Sequence, residues 1–147
     1  KEIDFIMNIS EASPEPVRVL GNDVELSRVF YNIIHNAISY TPKKGSITID
    51  GYISLGKYVV TVTDTGMGIS SKILDKIFEP FFQGDASRNE AKHEHKDGGG
   101  QGQMRGGAGL GLPIARKIVE SHNGSIVIKS KEHSGTKAVI SLPLSSY

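Results

Sequence analysis

Three clusters of residues in this sequence have types and spacings suited to holding a polyphosphate and its base. The first lies in RGGAGLGLPIARKIVESHNGSI, residues 105–126, where Gly106, Gly107, Gly109 and Gly111 stand directly ahead of an amphipathic run. A glycine costs roughly 0.5–1 kcal/mol against an alanine that fits, so something there needs bare backbone. A helix start offers unpaired N–H groups and the positive end of the helix dipole, and glycines let a bulky anion reach them. Pro113 is tolerated in the first turn, where its missing N–H removes no helix bond. A flexible hinge at the end of a loop would use the same residues.

The second cluster is TDTGMGI, with Asp64 at the end of the apolar run KYVVTVTD and Gly66 and Gly68 just beyond it. A carboxylate near a core is costly unless something donates to it. The amino group of adenine would do so, whereas guanine presents an acceptor at the matching place and leaves a buried group unpaired. An aspartate that merely turns the chain before a glycine looks the same. In the third cluster Asn32, Asn36 and Tyr40 follow one another at one-turn spacing and stack along a helix flank. Asparagine is a poor residue for a helix interior. Magnesium bound to ATP needs only one or two protein oxygens, and a neutral amide oxygen would serve without repelling the phosphates. Hydrogen bonding to solvent or to another helix is the alternative for either asparagine alone.

Other phosphate motifs fail on context. There is no Gly-Lys-Ser/Thr, and the Gly107, Gly109, Gly111 spacing follows a loop rather than the strand a dinucleotide fingerprint requires. The chain has no cysteine, which removes disulfides, thiolate metal sites and thiol nucleophiles. The net charge of +1 points to no nucleic-acid or membrane surface. No apolar run approaches the ~18–20 residues of a membrane span. There is no signal peptide, and the chain opens inside what reads as a strand, so a cytoplasmic fragment of a larger protein is expected.

The elements that must position these residues follow from periodicity. One domain over 1–147 is expected, large enough to bury roughly two thirds of its unfolded surface. Residues 2–9 alternate, with Ile3, Phe5, Met7 and Ile9 apolar, and read as a strand; a second short strand is expected near Val17–Leu20. Leu26, Val29, Phe30, Ile33, Ile34 and Ala37 recur at helical spacing, capped near Asn22 or Asp23 and stopped before Pro42. Strands near 46–54 and 57–64, a short helix at about 70–77, a helix near 110–122 and strands near 125–130 and 136–142 complete the order. Residues 83–106 lack periodicity and carry balanced charge, and a loop of that length is usually functional or disordered. Its His93 and His95 form an H-x-H whose ordinary reading is two solvated loop histidines. The order predicts a two-layer α/β (α+β) sandwich, one sheet covered by helices on one face.

Taken together, these segments resemble the catalytic ATP-binding domain of sensor histidine kinases, in the superfamily shared with DNA gyrase, MutL and the heat-shock chaperone of that fold. NIIHNAISYTP resembles the N box, DTGMGI the first glycine box, FEPFF the F box, GAGLGLPIARKIVESHNGSI the second glycine box and SGTKAVISLP the closing strands. The resemblance implies a mixed sheet of about five strands packed on about three helices, with residues 83–106 as an ATP lid. It implies that Asn36 holds Mg²⁺, that Asp64 reads adenine with Thr136 beside it, and that Gly66 and Gly68 let the base approach. Gly107, Gly109, Leu110 and Gly111 would offer backbone N–H groups to the phosphates; Phe81 and Phe82 would anchor the lid; Arg88, and less strongly Arg105, would contact phosphate. Tyr40 belongs to the same nucleotide-binding set. The chain departs from the pattern at Ser39, where lysine is frequent, so that Lys43 or Lys44 would have to replace a phosphate contact, and at Ala108 and Pro113.

One position separates the chemistries of that superfamily. Hydrolytic members carry glutamate one turn before the metal asparagine, and here that residue is Asn32. An asparagine cannot accept a proton near neutral pH and so cannot be a general base. Phosphoryl transfer to an outside nucleophile is therefore expected, with the protein mainly positioning groups and stabilising charge. None of His35, His93, His95, His122 and His133 sits in a phospho-acceptor helix motif. The expected partners are a histidine-bearing dimerisation helical domain of the same protein and, downstream, a response-regulator receiver domain. Neither nucleic acid nor membrane contact is expected of this segment. A serine-kinase or mitochondrial-type kinase relative and a non-catalytic nucleotide-binding module are the alternatives.

Overall fold

The computed structural model describes residues 1–10, 16–83 and 109–145. Its strands are β1 (Asp4–Ile9), β2 (Ser46–Ser54), β3 (Lys57–Asp64), β4 (Ser125–Ser130) and β5 (Thr136–Pro143). They form one five-stranded sheet in the order β1-β2-β3-β5-β4. β1 runs parallel to β2, and every other neighbouring pair is antiparallel, so the sheet is mixed. Among the described residues the helices are α1 (Asp23–Tyr40), the single turn α2 (Ser71–Leu74) and α3 (Gly111–Ser121). Arg88, Arg105, Gly107, Ala108, His93 and His95 lie outside the described residues, as does all of the expected lid except Gln83.

The helix α1 starts where its sequence says it must. The Asn22 side chain accepts from the Glu25 backbone N–H at 3.0 Å and satisfies one of the orphan donors of the first turn. Thr41 ends the helix ahead of Pro42. The stripe Val29, Ile33 and Ala37 is buried, and it meets Ala115 and Val119 of α3 and Ile47, Ile49, Val62, Ile126, Ala138, Ile140 and Leu142 of the sheet in one core. Each large side chain of that set is worth about 1.5–3 kcal/mol of burial.

Two expectations change, and the first strand forms as expected without burying its apolar side chains. The strand near Val17–Leu20 is a single bridge, Val19 to Leu144, because Gly21 and the Asn22 cap follow at once and only the chain beyond β5 is within reach. The helix expected at about 70–77 is α2 alone, followed by turns bonded Lys76 N–H to Ile73 O and Glu79 N–H to Lys76 O. The segment still turns its apolar residues inward, with Ile77 buried and Phe78 packed on the core, but it does so through these turns and not a continued helix. The alternation in β1 is real but buries nothing: by its register Phe5, Met7 and Ile9 share the helix-covered side with Ile47 and Ile49, yet they remain 55%, 68% and 51% exposed. β1 is the edge strand, and the helices cover the sheet inward of it.

The two long helices are pinned at their far ends by His122. Its Nε2 lies 3.0 Å from the backbone N–H of Asn22 and must accept from it. Nδ1 lies 2.8 Å from the Ile118 carbonyl and must donate, which fixes the neutral tautomer. A Cβ on Gly21 would come within 2.6 Å of the ring, so glycine makes the room. His122→Ala should lower stability by about 1–2 kcal/mol through the lost packing of its largely buried ring and the loss of its two hydrogen bonds. The urea midpoint checks this, and an unshifted midpoint would show that the pin contributes nothing.

Candidate functional site

Strand register decides the position of Asp64. It pairs with Ile47 on one side and Thr136 on the other, and the alternation that buries Val62 points it into the same helix-covered layer, where it is 8% exposed. Its Oδ1 accepts from the backbone N–H of Gly66 at 2.8 Å and of Thr136 at 3.2 Å. Among the described residues nothing donates to Oδ2. Burial pushes the carboxyl above its usual range, and the two backbone donors offset only part of that. Oδ2 is therefore the atom of this buried residue that still reaches solvent, and an open acceptor there is a place for a ligand that brings a donor.

The loop after Asp64 is wedged between two other parts of the protein. A Cβ on Gly66 would stand 2.6 Å from the Tyr40 carbonyl, which also accepts from the Met67 N–H at 3.4 Å. Gly68, at φ +69°, would drive a Cβ to 2.0 Å from the Lys131 carbonyl. Both glycines are thus required by close approach within the protein, to the end of α1 and to the β4–β5 turn. The sequence reading missed Ser130, which fastens the loop to that turn. Its Oγ accepts from the Ile69 N–H at 2.8 Å and lies 2.9 Å from both the Gly135 carbonyl and Thr136 Oγ1. The signal was the Ser130–Thr136 pairing across a hairpin, which no local pattern reveals.

The asparagines divide their work. Asn32 Nδ2 donates to the Gly111 carbonyl at 3.2 Å and ties the flank of α1 to the first turn of α3. Asn36, one turn on, is half-buried and has no hydrogen-bond partner among the described residues. The N-cap residue of α3, Leu110, makes no side-chain cap bond, so among the described residues no side chain caps its first turn. Gly109, at φ +71°, packs so closely that a Cβ would lie 2.7 Å from the Phe82 carbonyl, and its own carbonyl accepts from the Phe81 N–H at 3.1 Å. Phe82 is half-buried, whereas Phe81, at φ +64°, is 72% exposed. Phe78 carries the anchoring to α3: it packs on the core with the Arg116 guanidinium 5.0 Å over its ring. Leu112 also packs against the core.

The structure thus brings Asp64, Gly66, Gly68, Thr136 and the end of α1 at Tyr40 into one cluster, and Asn32, Gly109, Leu110, Gly111, Phe81 and Phe82 into another. The helix α1 spans the two. The Tyr40 side chain is 45% exposed, and Lys43 is exposed in the turn beyond it with no ion-pair partner among the described residues. An open depression of about 600 Å³ on the opposite side of the sheet, with Asn8, Asp50, Thr61 and Lys137 in its lining, is separate from both clusters.

Asp64 gives the ligand-free protein a pH dependence of defined sign. Its pKa is raised in the fold, so the folded state holds a proton that the unfolded chain has already lost. Stability should therefore fall as pH rises from the ordinary aspartate range through the raised value, and Asp64→Asn should remove that slope. Denaturant unfolding at a series of pH values checks this; parallel profiles for the two proteins would show that burial does not penalise the carboxylate.

Known proteins agree with this architecture. Residues 21–146 match the family described as "Histidine kinase-, DNA gyrase B-, and HSP90-like ATPase". The chain is 37% identical over 135 residues to Histidine kinase P4 of Formosa agariphila, covering 91% of this chain and 9% of that protein. It is 33% identical over 131 residues to the signal transduction histidine-protein kinase BaeS of Escherichia coli, covering 89% of this chain and 25% of that protein. The nucleotide-free catalytic domain of histidine kinase ThkA superposes with a TM-score of 0.71 at 29% identity, over 96% of this chain and 80% of that one. The chain spans less than a third of the length of the first of these curated relatives and of BaeS. No described helix is long and apolar enough to cross a membrane. The chain belongs to the family of histidine kinase-, DNA gyrase B- and HSP90-like ATPases, and its relatives there are sensor histidine kinases.

Proposed function

We propose that residues 1–147 form a single catalytic domain that binds Mg-ATP and passes the γ-phosphoryl group to a histidine on a separate helical domain of the same protein, with residues 83–106 as its lid. The observation that carries this reading is the Asp64 carboxylate, buried with one oxygen lacking a donor. The residues present fit the nucleotide. Asp64 Oδ2 is an acceptor for an exocyclic amine, the uncapped start of α3 suits phosphate, and the unpartnered amide of Asn36 suits a magnesium ion that keeps most of its waters. Mg-ATP supplies the activated phosphoryl group; the chain binds it and orients it.

Asn32 supports transfer over hydrolysis. Its amide already donates to Gly111 O, and it has no group able to take a proton from water. The attacking nucleophile is then the imidazole nitrogen of the acceptor histidine. It bonds to the γ-phosphorus as the bridging P–O bond breaks, ADP leaves, and the ring proton passes to solvent. Gly107, Arg88 and Arg105 would add phosphate contacts, with Lys43 in place of the lysine that Ser39 replaces. Phe81 and Phe82 would hold the lid's base, and a receiver domain would take the phosphoryl group onward. A histidine-bearing helical partner fits a chain that covers 9% and 25% of two kinase relatives.

Calorimetric titration with Mg-ATP tests the binding, and labelled phosphate transfer to an added histidine-bearing helical domain tests the chemistry. Asp64→Asn should weaken ATP binding by about 10–100-fold, the worth of a hydrogen bond to a charged acceptor, with the fold retained. Unchanged affinity would remove Asp64 from the site. In Asn36→Ala magnesium should no longer tighten ATP binding; persistent tightening would assign the ion to another ligand.

A further inference from the structure

The Ser130 hydroxyl has one proton and three neighbours. The Ile69 backbone N–H, 2.8 Å away, can only donate to it. The Gly135 carbonyl, 2.9 Å away, can only accept from it. The Ser130 proton is therefore committed to Gly135. Thr136 Oγ1 also stands 2.9 Å from Ser130 Oγ, and in that contact Thr136 must be the donor. The reverse assignment would leave Ser130 Oγ facing the Gly135 carbonyl lone pair to lone pair at hydrogen-bond distance. The Thr136 proton is thus turned into the protein, and its hydroxyl shows the site only lone pairs. Beside it Asp64 Oδ1 takes the Thr136 N–H, while Oδ2 has no donor among the described residues.

We propose that Ser130 is a positioning residue for base selectivity: by taking the Thr136 hydroxyl proton it leaves two adjacent acceptors, Thr136 Oγ1 and Asp64 Oδ2, and so selects a purine with an amine at C6 over one with a carbonyl. This rests on the nucleotide-binding reading above. An exocyclic amine has two hydrogens to offer. A C6 carbonyl meets acceptors alone, and a site built this way rejects it because its own polar groups stay unpaired. Without Ser130 the Thr136 hydroxyl is free to rotate and donate to such a carbonyl, so discrimination relaxes although Ser130 never touches the base.

The test compares the affinities of ADP and inosine diphosphate, which differ at the C6 edge, by calorimetry. The wild-type chain should prefer ADP. In Ser130→Ala that preference should fall about ten-fold, the scale of one neutral hydrogen bond, and Ser130→Thr, which keeps the hydroxyl, should restore it. Equal weakening of both nucleotides with the ratio unchanged would overturn the proposal and leave Ser130 a scaffold. If Ser130→Ala does not fold, Thr136→Val carries the test, since it removes the acceptor without touching Ile69 N–H or Gly135 O; Asp64 alone should then leave a smaller ADP preference, and an undiminished one overturns the proposal as well. A wild-type chain that binds ADP while the ratio never moves defeats this inference alone. A wild-type chain that binds neither nucleotide defeats the reading of the site and this inference with it.

Discussion

A carboxylate carried into an apolar layer by strand register is the constraint from which the rest of the site follows. Asp64 occupies the last position of β3, and its side chain points the way Val62 does. Ionised there, it is costly unless it gathers donors. The protein supplies two backbone N–H groups, from Gly66 and Thr136, and both reach the same oxygen. Supplying the first requires the chain to turn back sharply after β3. That turn forces Gly66 against the end of α1 and Gly68 against the β4–β5 turn, positions a side chain would block. One charged group thereby dictates the conformation of a loop, the approach of a helix end and the fit of a hairpin.

Much of this was legible in the sequence where local chemistry decides. The asparagine cap and the proline beyond Thr41 set the ends of α1, and the largely apolar run ending at Asp64 marks β3. Asp64 reads as buried because the run before it is apolar. What could not be read depends on partners distant in the chain. The alternation of β1 marks a strand, but how far the helices extend over the sheet is set by packing between α1 and α3. Ser130 is an ordinary strand-end serine until the hairpin register places it beside Thr136 and the loop brings Ile69 to it. Asn32 looked like half of a ligand pair, and its amide is used to reach Gly111 across the helix interface.

The relation between α1 and α3 gives the candidate site its rigidity. The two helices pack together over the sheet, and α3 is tied to α1 at both of its own ends, by His122 to the Asn22 N–H and by Gly111 O to the mid-helix Asn32. Asn36 and the open start of α3 are thus held by bonds that belong to the protein before any ligand arrives. Preorganisation of this kind lowers the ordering entropy that binding must overcome.

The hydrogen bond from the Phe81 N–H to the Gly109 carbonyl, at 3.1 Å, closes the chain on itself at the two ends of the segment between them. The described sheet and helices share one core built from residues on either side of it. Closure entropy grows only with the logarithm of length, about 0.6 kcal/mol for each doubling. By closure entropy alone, a change of length between these two anchor points costs the described sheet and helices little, so this stretch can differ in length while the framework around it stays the same.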